Sequence, residues 1–461
     1  MNRSSAASAA FAGPLRRNSV NPRYFTDGTG KAIYLTGSHT WSNFKDFGAG
    51  DPPLPFDYDG YLDFLQSHNH NFFRLWTWEL PYSAQNHLPA QRHTPFPWPR
   101  TGSTTATDGK PKFDLARFDQ TYFDRLRQRV MLAGQRGIYV SVMLWDGFGP
   151  QFERSATDGF PFDAANNING VSSSGVHSQN STNPKVTEIQ RAYARKVVDT
   201  LNDLDNVLFE IANEAGSYST IWQYQMIDFV KRYEAGKPKQ HPVGMTFQYS
   251  GGTDAALFRS IADWISPQDR AVLGNGMKVI LNDTDHSYSW KQLKQDGQVA
   301  QQAWVWKAFT NGTNPLFMDP YLQSWTGRND PTGREPDAYW ETLRVALGRT
   351  KLYADKMNLN RAAPGPGLFS SRYGLANAVS KNGEYLGFLP GGGSITIDLS
   401  ASRGILSVEW FNPTSGATTT GGTVTGGASR VFTAPFAGNA VVYARSVGPP
   451  SPPTNVALAP D

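Results

Sequence analysis

The chain contains no cysteine. That removes disulfides, thiolate metal sites and cysteine nucleophiles at once. It also lacks any run of about eighteen apolar residues, so no membrane-crossing helix is expected. Charge of either sign is in short supply: 43 Lys and Arg face 39 Asp and Glu, a net +4. No basic cluster of the kind nucleic acid requires is present. No glycine-rich dinucleotide or phosphate-binding fingerprint follows the first predicted strand, which argues against a nucleotide enzyme. Residues Met1 to Gly13 are small and polar, without the apolar stretch of a secretory leader.

Aromatic residues, in contrast, are abundant, with 13 Trp, 19 Tyr and 27 Phe in 461 residues. The hydrophobic fraction of 39% is enough for at least one large core. Short apolar runs alternate with helical patterns over some 300 residues. Residues 24–25 and 33–35 read as a small hairpin around Asp27-Gly28. Strands follow near residues 36–41, 71–79, 138–144, 207–213, 241–248, 262–265, 278–285 and 315–318. Helical faces separate them, such as Tyr122, Phe123, Leu126 and Val130, or Ile189, Tyr193, Val197 and Leu201. Strand–helix alternation of this length predicts an α/β fold, a closed (β/α)8 barrel. The long insertions, near 80–112 and 147–183, follow strands and so fall on the catalytic face of such a barrel. Beyond a helix near 339–357 the texture changes to short strands between Gly-, Ser- and Thr-rich turns. A small all-β sandwich is predicted there.

The most telling stretch is Phe209-Glu210-Ile211-Ala212-Asn213-Glu214-Ala215. A packed strand ends abruptly in an amide and a carboxylate. The C-terminal end of a barrel strand is where such enzymes place their reactive groups. Glu210, four residues back, is expected deeper in the barrel as a paired carboxylate. His39, Trp41, Arg74, Trp76, Trp78, Glu79, Trp145, Asp146 and Asp319 also fall near predicted strand ends. Aromatics beside polar groups at several exits favour a carbohydrate cleft. His68 and His70 are expected on a solvated helix end.

FEIANEA is similar to the signature of clan A glycoside hydrolases, the group of cellulase-like and apiosidase-like barrels. Arg74, in FFRLW, is similar to that clan's arginine on the second strand. YLGFLPGGGSITIDLS, VEWFNPTSG and FTAPFAGNAVVY resemble the β-domain, called collagen-binding, that often follows apiosidase-like barrels in bacteria. The resemblance implies that Glu214 is the acid/base and that Asn213 binds the sugar beside the scissile bond. It also implies a Glu nucleophile at the end of the seventh strand, but that strand reads ILND and continues TDH. Asp283 is the first choice for the missing carboxylate because ILND aligns with the strand-end position, with Asp285 close behind. Both share one parity and could face the barrel mouth. Asp is one methylene shorter than Glu, so either the sugar sits lower or the loop advances.

The reading is therefore a bacterial glycosidase, secreted or periplasmic, cleaving O-glycosidic bonds in poly- or oligosaccharides. It is expected to retain configuration and to need no cofactor or metal. Catalytic residues are drawn from Glu214, Asp283 and Asp285. Substrate contacts are drawn from Asn213, Arg74, His39, Trp41, Trp76, Trp78, Glu79, Trp145, Asp146, His286 and Asp319. The expected partner is a plant or microbial glycan, with no nucleic acid and no membrane; the sequence does not specify the oligomeric state. The expected division is residues 1–360 for the barrel with its hairpin, 361–447 for the sandwich and 448–461 as a Pro-rich linker. Two other readings stay open. One is a barrel that binds carbohydrate without turnover. The other is a metal-dependent hydrolase or lyase using Asp283, Asp285 and His286, since carboxylates and imidazole suit a divalent cation.

Overall fold

A computed structural model describes residues 11–83, 91–173, 175–321, 338–378 and 383–447. The Pro-rich linker at 448–461 lies outside the described residues, as does the middle of the first long insertion. Eight parallel strands form the main sheet: β1 Gly37–His39, β2 Phe72–Leu75, β3 Tyr139–Asp146, β4 Val207–Asn213, β5 Val243–Thr246, β6 Trp264–Ser266, β7 Val279–Asp283 and β8 Asn314–Met318. Their order is β1-β8-β7-β6-β5-β4-β3-β2. The seam between β1 and β2 is bridged by Asn71, whose N–H donates to the Thr36 carbonyl and whose Oδ1 accepts from the Thr36 N–H, both at 3.0 Å. The sheet thus curls into a (β/α)8 barrel.

Each strand reads as a buried run because both faces are covered; all seven residues of β4 are buried. Phe72, Tyr139, Leu208, Trp264, Val279, Leu281 and Leu316 fill the interior, and Leu15 and Phe25 join them. Gly244 makes this packing possible, since a Cβ there would lie 1.8 Å from the Trp264 ring. The outer layer is α1 Tyr58–Ser67, α2 Gln120–Gln135, α3 Pro184–Leu201, α4 Thr220–Ala235, α5 Asp254–Arg259, α7 Trp290–Thr310 and α8 Glu341–Lys356, while α6 Thr284–Ser287 is a single turn at the exit of β7. Several start on side-chain caps that satisfy otherwise orphaned N–H groups. Asp57 caps α1, Asp119 caps α2, and Asn183 followed by Pro184 caps α3. Among the described residues no helix is long and apolar enough to cross a membrane.

Seven further strands follow: β9 Gly374–Asn377, β10 Glu384–Leu389, β11 Ser394–Asp398, β12 Ile405–Phe411, β13 Thr418–Thr425, β14 Ser429–Thr433 and β15 Ala440–Ser446. Strands β9, β10, β15, β12 and β13, with Ala363–Pro364 before β9, make one antiparallel sheet. The β11–β14 pair covers it through Ile395, Ile397 and Phe432. The result is a small β-sandwich. Its other face shares a core with the barrel, in which Trp306 of α7 stacks on Phe388 at 6.2 Å and meets Phe411 at 5.7 Å.

Several local expectations change. The insertion after β2 is not plain loop: residues 82–83, 91–94, 100–105 and 111–113 are short strands. The one after β3 holds a helix at Phe148–Phe152. β13 is an edge strand exposed along nearly its whole length, so no apolar alternation announced it. His70 is buried, not solvated. Its Nε2 donates to the Arg344 carbonyl at 2.9 Å, and burial pushes its pKa down to about 3.

Candidate active site

The C-terminal ends of β2, β4 and β7 converge on one guanidinium. Arg74, on β2, is fully buried. Its Nε and Nη2 donate to the two oxygens of Glu210 at 2.8 and 2.6 Å. Nη1 donates to Asp283 at 3.0 Å and to Asp285 at 2.9 Å, and Nη2 also donates to Asn213 Oδ1. The planar fork of arginine suits this task, since a lysine could not serve several carboxylates in fixed directions. Glu210 is thus held below the mouth as a paired carboxylate.

Asp283 and Asp285 take different positions. Asp283 ends β7, is fully buried and has no spare capacity. It accepts from His39 Nε2 at 2.8 and 3.0 Å, from Arg74, and from the Asp285 N–H at 3.0 Å, which it caps at the start of α6. Trp76 Nε1–H donates to His39 Nδ1 at 2.8 Å, so the ring proton sits on Nε2 and faces Asp283. Burial opposes ionisation of Asp283, but His39 and Arg74 outweigh it and hold the carboxyl far below its usual range. Asp285, two residues on, is carried forward by the first turn of α6. Its side chain retains 11% exposure. Burial and the charge of Asp283 push its pKa up to about 6, against the pull of Arg74.

Glu214 follows β4 directly. Its φ of 51° lies in the left-handed region, uncommon for a residue with a side chain. An oxygen of Glu214, one of Asp285 and a ring nitrogen of His286 all lie within 4.8 Å of one another. Burial first, and then the Asp285 charge, raise the Glu214 pKa well above normal. His286 is kept neutral by burial, with the Arg74 charge adding to the effect. Its Nδ1 takes the Ser266 hydroxyl at 2.8 Å and its Nε2 lies 3.2 Å from Asn213 Oδ1. Among the described residues the buried Asn213 Nδ2 has no hydrogen-bond partner, although buried amide donors are ordinarily satisfied.

Around these groups stand the aromatics. Trp76 and Trp78 are 2% exposed and form a second layer, stacked at 5.7 Å. Trp41, partly exposed, packs on both and on Trp290 at 5.5 Å. Trp290 opens α7, and its Nε1–H donates to the Met318 carbonyl at 2.7 Å. Sequence reasoning missed it, although an aromatic seven residues past Asp283 sits just beyond a strand exit. Glu79 and Asp146 form a separate acidic pair near the buried Lys45. Burial raises both carboxyls, Asp146 to about 7, and lowers the Lys45 ammonium. Asp146 Oδ1 also accepts the Phe148 and Gly149 N–H groups at the start of the helix Phe148–Phe152.

Two expected contacts are not brought to the cleft. Trp145 is 1% exposed and lies behind the sheet, against Tyr193 at 5.9 Å and Trp222 at 5.1 Å. Parity explains this: β3 is fully covered, and Trp145 falls on its helix-facing side. Asp319 is fully engaged by Arg344, at 2.7 and 2.6 Å, in a buried ion pair that ties α8 to β8.

Comparison with known proteins agrees with this architecture. A family model described as a domain of unknown function (DUF6298) matches residues 90–256, a segment that contains Glu214. No curated protein matches the chain. Among solved structures, a glycoside hydrolase family 5 protein from Bacteroides vulgatus is 13% identical, with a TM-score of 0.60 over 94% of each chain. Another structure, titled glycoside hydrolase, is 10% identical, with a TM-score of 0.59 over 94% of this chain and 97% of its own. At such identities the likeness is one of fold.

Proposed function

We propose that the protein is a retaining glycoside hydrolase in which Glu214 is the acid/base and Asp285 the nucleophile. The observation that carries this is the closeness of the two carboxylates at the barrel mouth, an oxygen of Glu214 lying within 4.8 Å of one of Asp285. Retaining enzymes hold their carboxyls about 5–5.5 Å apart, whereas inverting ones leave room for a water. The electrostatics divide the labour. Glu214, raised by burial and by its neighbour, keeps the proton. Asp285, tied to Arg74, carries the charge. In the first step Asp285 attacks the anomeric carbon while Glu214 gives its proton to the leaving oxygen. In the second, the Glu214 carboxylate takes a proton from water, which attacks the glycosyl–Asp285 ester. Asn213 Nδ2 is free to donate to a sugar hydroxyl beside the broken bond.

Asp283 is a positioning residue in this scheme. It fixes the Asp285 backbone and shares Arg74 with it. The shorter aspartate reaches the sugar because the first turn of α6 carries it two residues past the strand end. Similarity of fold to glycoside hydrolases supports the reading.

Activity on a panel of nitrophenyl glycosides and cell-wall oligosaccharides tests it. The rate is expected to rise with pH as Asp285 ionises near 6 and to fall again when Glu214 loses its proton, giving a bell. The two limbs belong to the coupled pair. Glu214→Gln is expected to lower kcat/KM on an unactivated glycoside by about a thousandfold and to remove the alkaline limb. Near-wild-type activity in that variant would sink the assignment.

A second reading rests on the same cluster, since Glu214, Asp285 and His286 are a plausible ligand set for a divalent cation. The Arg74 charge 2.9 Å from Asp285 opposes it. Dialysis against a chelator is expected to leave the rate unchanged; loss of activity restored by added zinc or manganese would favour the metal.

A further inference from the structure

Three aromatic rings on the catalytic face have no part in the chemistry above. Phe148 and Phe152 lie on the short helix after β3, and Tyr249 on the exit of β5. Phe152 is 46% exposed and Tyr249 56%. They form one cluster, with centroids 5.0 Å apart for Phe148–Phe152, 5.5 Å for Phe152–Tyr249 and 6.4 Å for Phe148–Tyr249. An exposed aromatic cluster costs solvation and is ordinarily kept for a partner.

Its location selects the partner. Strands β3 and β5 flank β4, so the rings stand on the two loops either side of the one that carries Glu214. The supporting loops are locked to the Glu214 turn. The Gly147 N–H donates to the Asn213 carbonyl at 2.8 Å, and the Ser217 N–H to the Ser250 carbonyl at 2.8 Å. Gln151 Nε2, between the two phenylalanines, donates to the Glu214 carbonyl at 3.4 Å. Glycine is needed at the first crossing, where a Cβ on Gly147 would lie 2.3 Å from the Ala215 nitrogen. The loops of the platform are therefore hydrogen-bonded to the turn that carries the proposed acid.

An acid that protonates the leaving oxygen has the leaving group on its own side. Resting on the function proposed above, we infer that Phe148, Phe152 and Tyr249 form the leaving-group subsite, and that this leaving group is a neutral ring, a pyranose or an aryl group, with an apolar face. Uncharged rings offer C–H and π contacts but nothing to neutralise a uronic acid.

The test compares 4-nitrophenyl glycosides with the matching glycosyl fluorides, which share the glycone but carry no ring on the leaving side. Phe152→Ala and Tyr249→Ala are each expected to cut kcat/KM on the aryl glycoside by about tenfold and to leave the fluoride within about twofold. Phe152→Tyr is expected to restore the aryl rate, and unchanged thermal melting excludes misfolding. Equal losses on both substrates, or none on either, would overturn the subsite while leaving the glycosidase reading intact. Silence of the wild-type protein on every member of both panels would overturn that reading and the subsite with it.

Discussion

Asp285→Ala is expected to lower kcat/KM by about ten-thousand-fold or more, the scale on which removing a nucleophile acts. Asp283→Asn should fall well short of that. The difference follows from position. Asp283 is enclosed by His39, Arg74 and the Asp285 N–H, with no oxygen left for a sugar. Asp285 stands two residues farther along, retains exposure and lies beside Glu214. Azide supplies a decisive readout. In Asp285→Ala it can occupy the vacated side and attack the anomeric carbon, giving a glycosyl azide of inverted configuration at a partly restored rate. A 2-deoxy-2-fluoro glycoside should trap the intermediate, and mass spectrometry of the peptide spanning Asp283 to His286 should place the ester on Asp285. Label on Asp283, or azide rescue of an Asp283→Ala protein alone, would reverse the assignment.

Removal of the central arginine should act on the fold as strongly as on the chemistry. Arg74→Met is expected to cost about 3–5 kcal/mol, because the Glu210 and Asp283 carboxylates remain buried without their cation. A carboxylate buried without a cation favours its protonated form, so the folded variant holds protons more tightly than the unfolded chain. The penalty is then fully present at high pH and eases as pH falls through the raised pKa values. Urea unfolding followed by tryptophan fluorescence should show the midpoint drop most at pH 7 to 8 and less at pH 5. The double variant Arg74→Met, Glu210→Met should regain part of the loss, since an apolar pair removes one unpaired charge. An unchanged midpoint in Arg74→Met would show that the network carries no net stability. Activity should vanish in either variant, because Asp285 and Asn213 both lose the group that orients them.

The residues that made the site legible in sequence are those with backbone-dictated places. Asn213 and Glu214 end a strand that is apolar but for Glu210, and Arg74 shares parity with Trp76 on another. Such positions need only a period of two and a count of strands. The choice between Asp283 and Asp285 required the turn that follows β7, which a strand pattern cannot describe. His286 was visible because it adjoins that turn. Phe148, Phe152, Tyr249 and Trp290 stayed hidden because loop geometry, not periodicity, assembles them. Trp145 and Asp319 were misplaced for a related reason. Proximity to a strand end does not say which face a side chain takes, and a buried Arg344 for Asp319 could not be foreseen from spacing. In the C-terminal part, β13 carries no sequence signal because an exposed edge of threonine and glycine has no buried face to pattern.

The shared core behind the barrel has a consequence for how this protein could have arisen and how it comes apart. Tyr24 and Tyr34 near the start of the chain, Trp306 and Tyr353 from the last two helices, and Phe388, Phe411 and Tyr443 from the sandwich all meet in one apolar cluster. Asn21 fastens the opening segment to the junction, donating to the Leu359 and Ala362 carbonyls at 2.6 and 2.8 Å. Severing the chain near residue 360 would leave an oily wound on both pieces. Neither half is a freely tradable cassette; heat should dismantle them together, and a lineage that lost the sandwich would have had to rebuild the barrel's back wall.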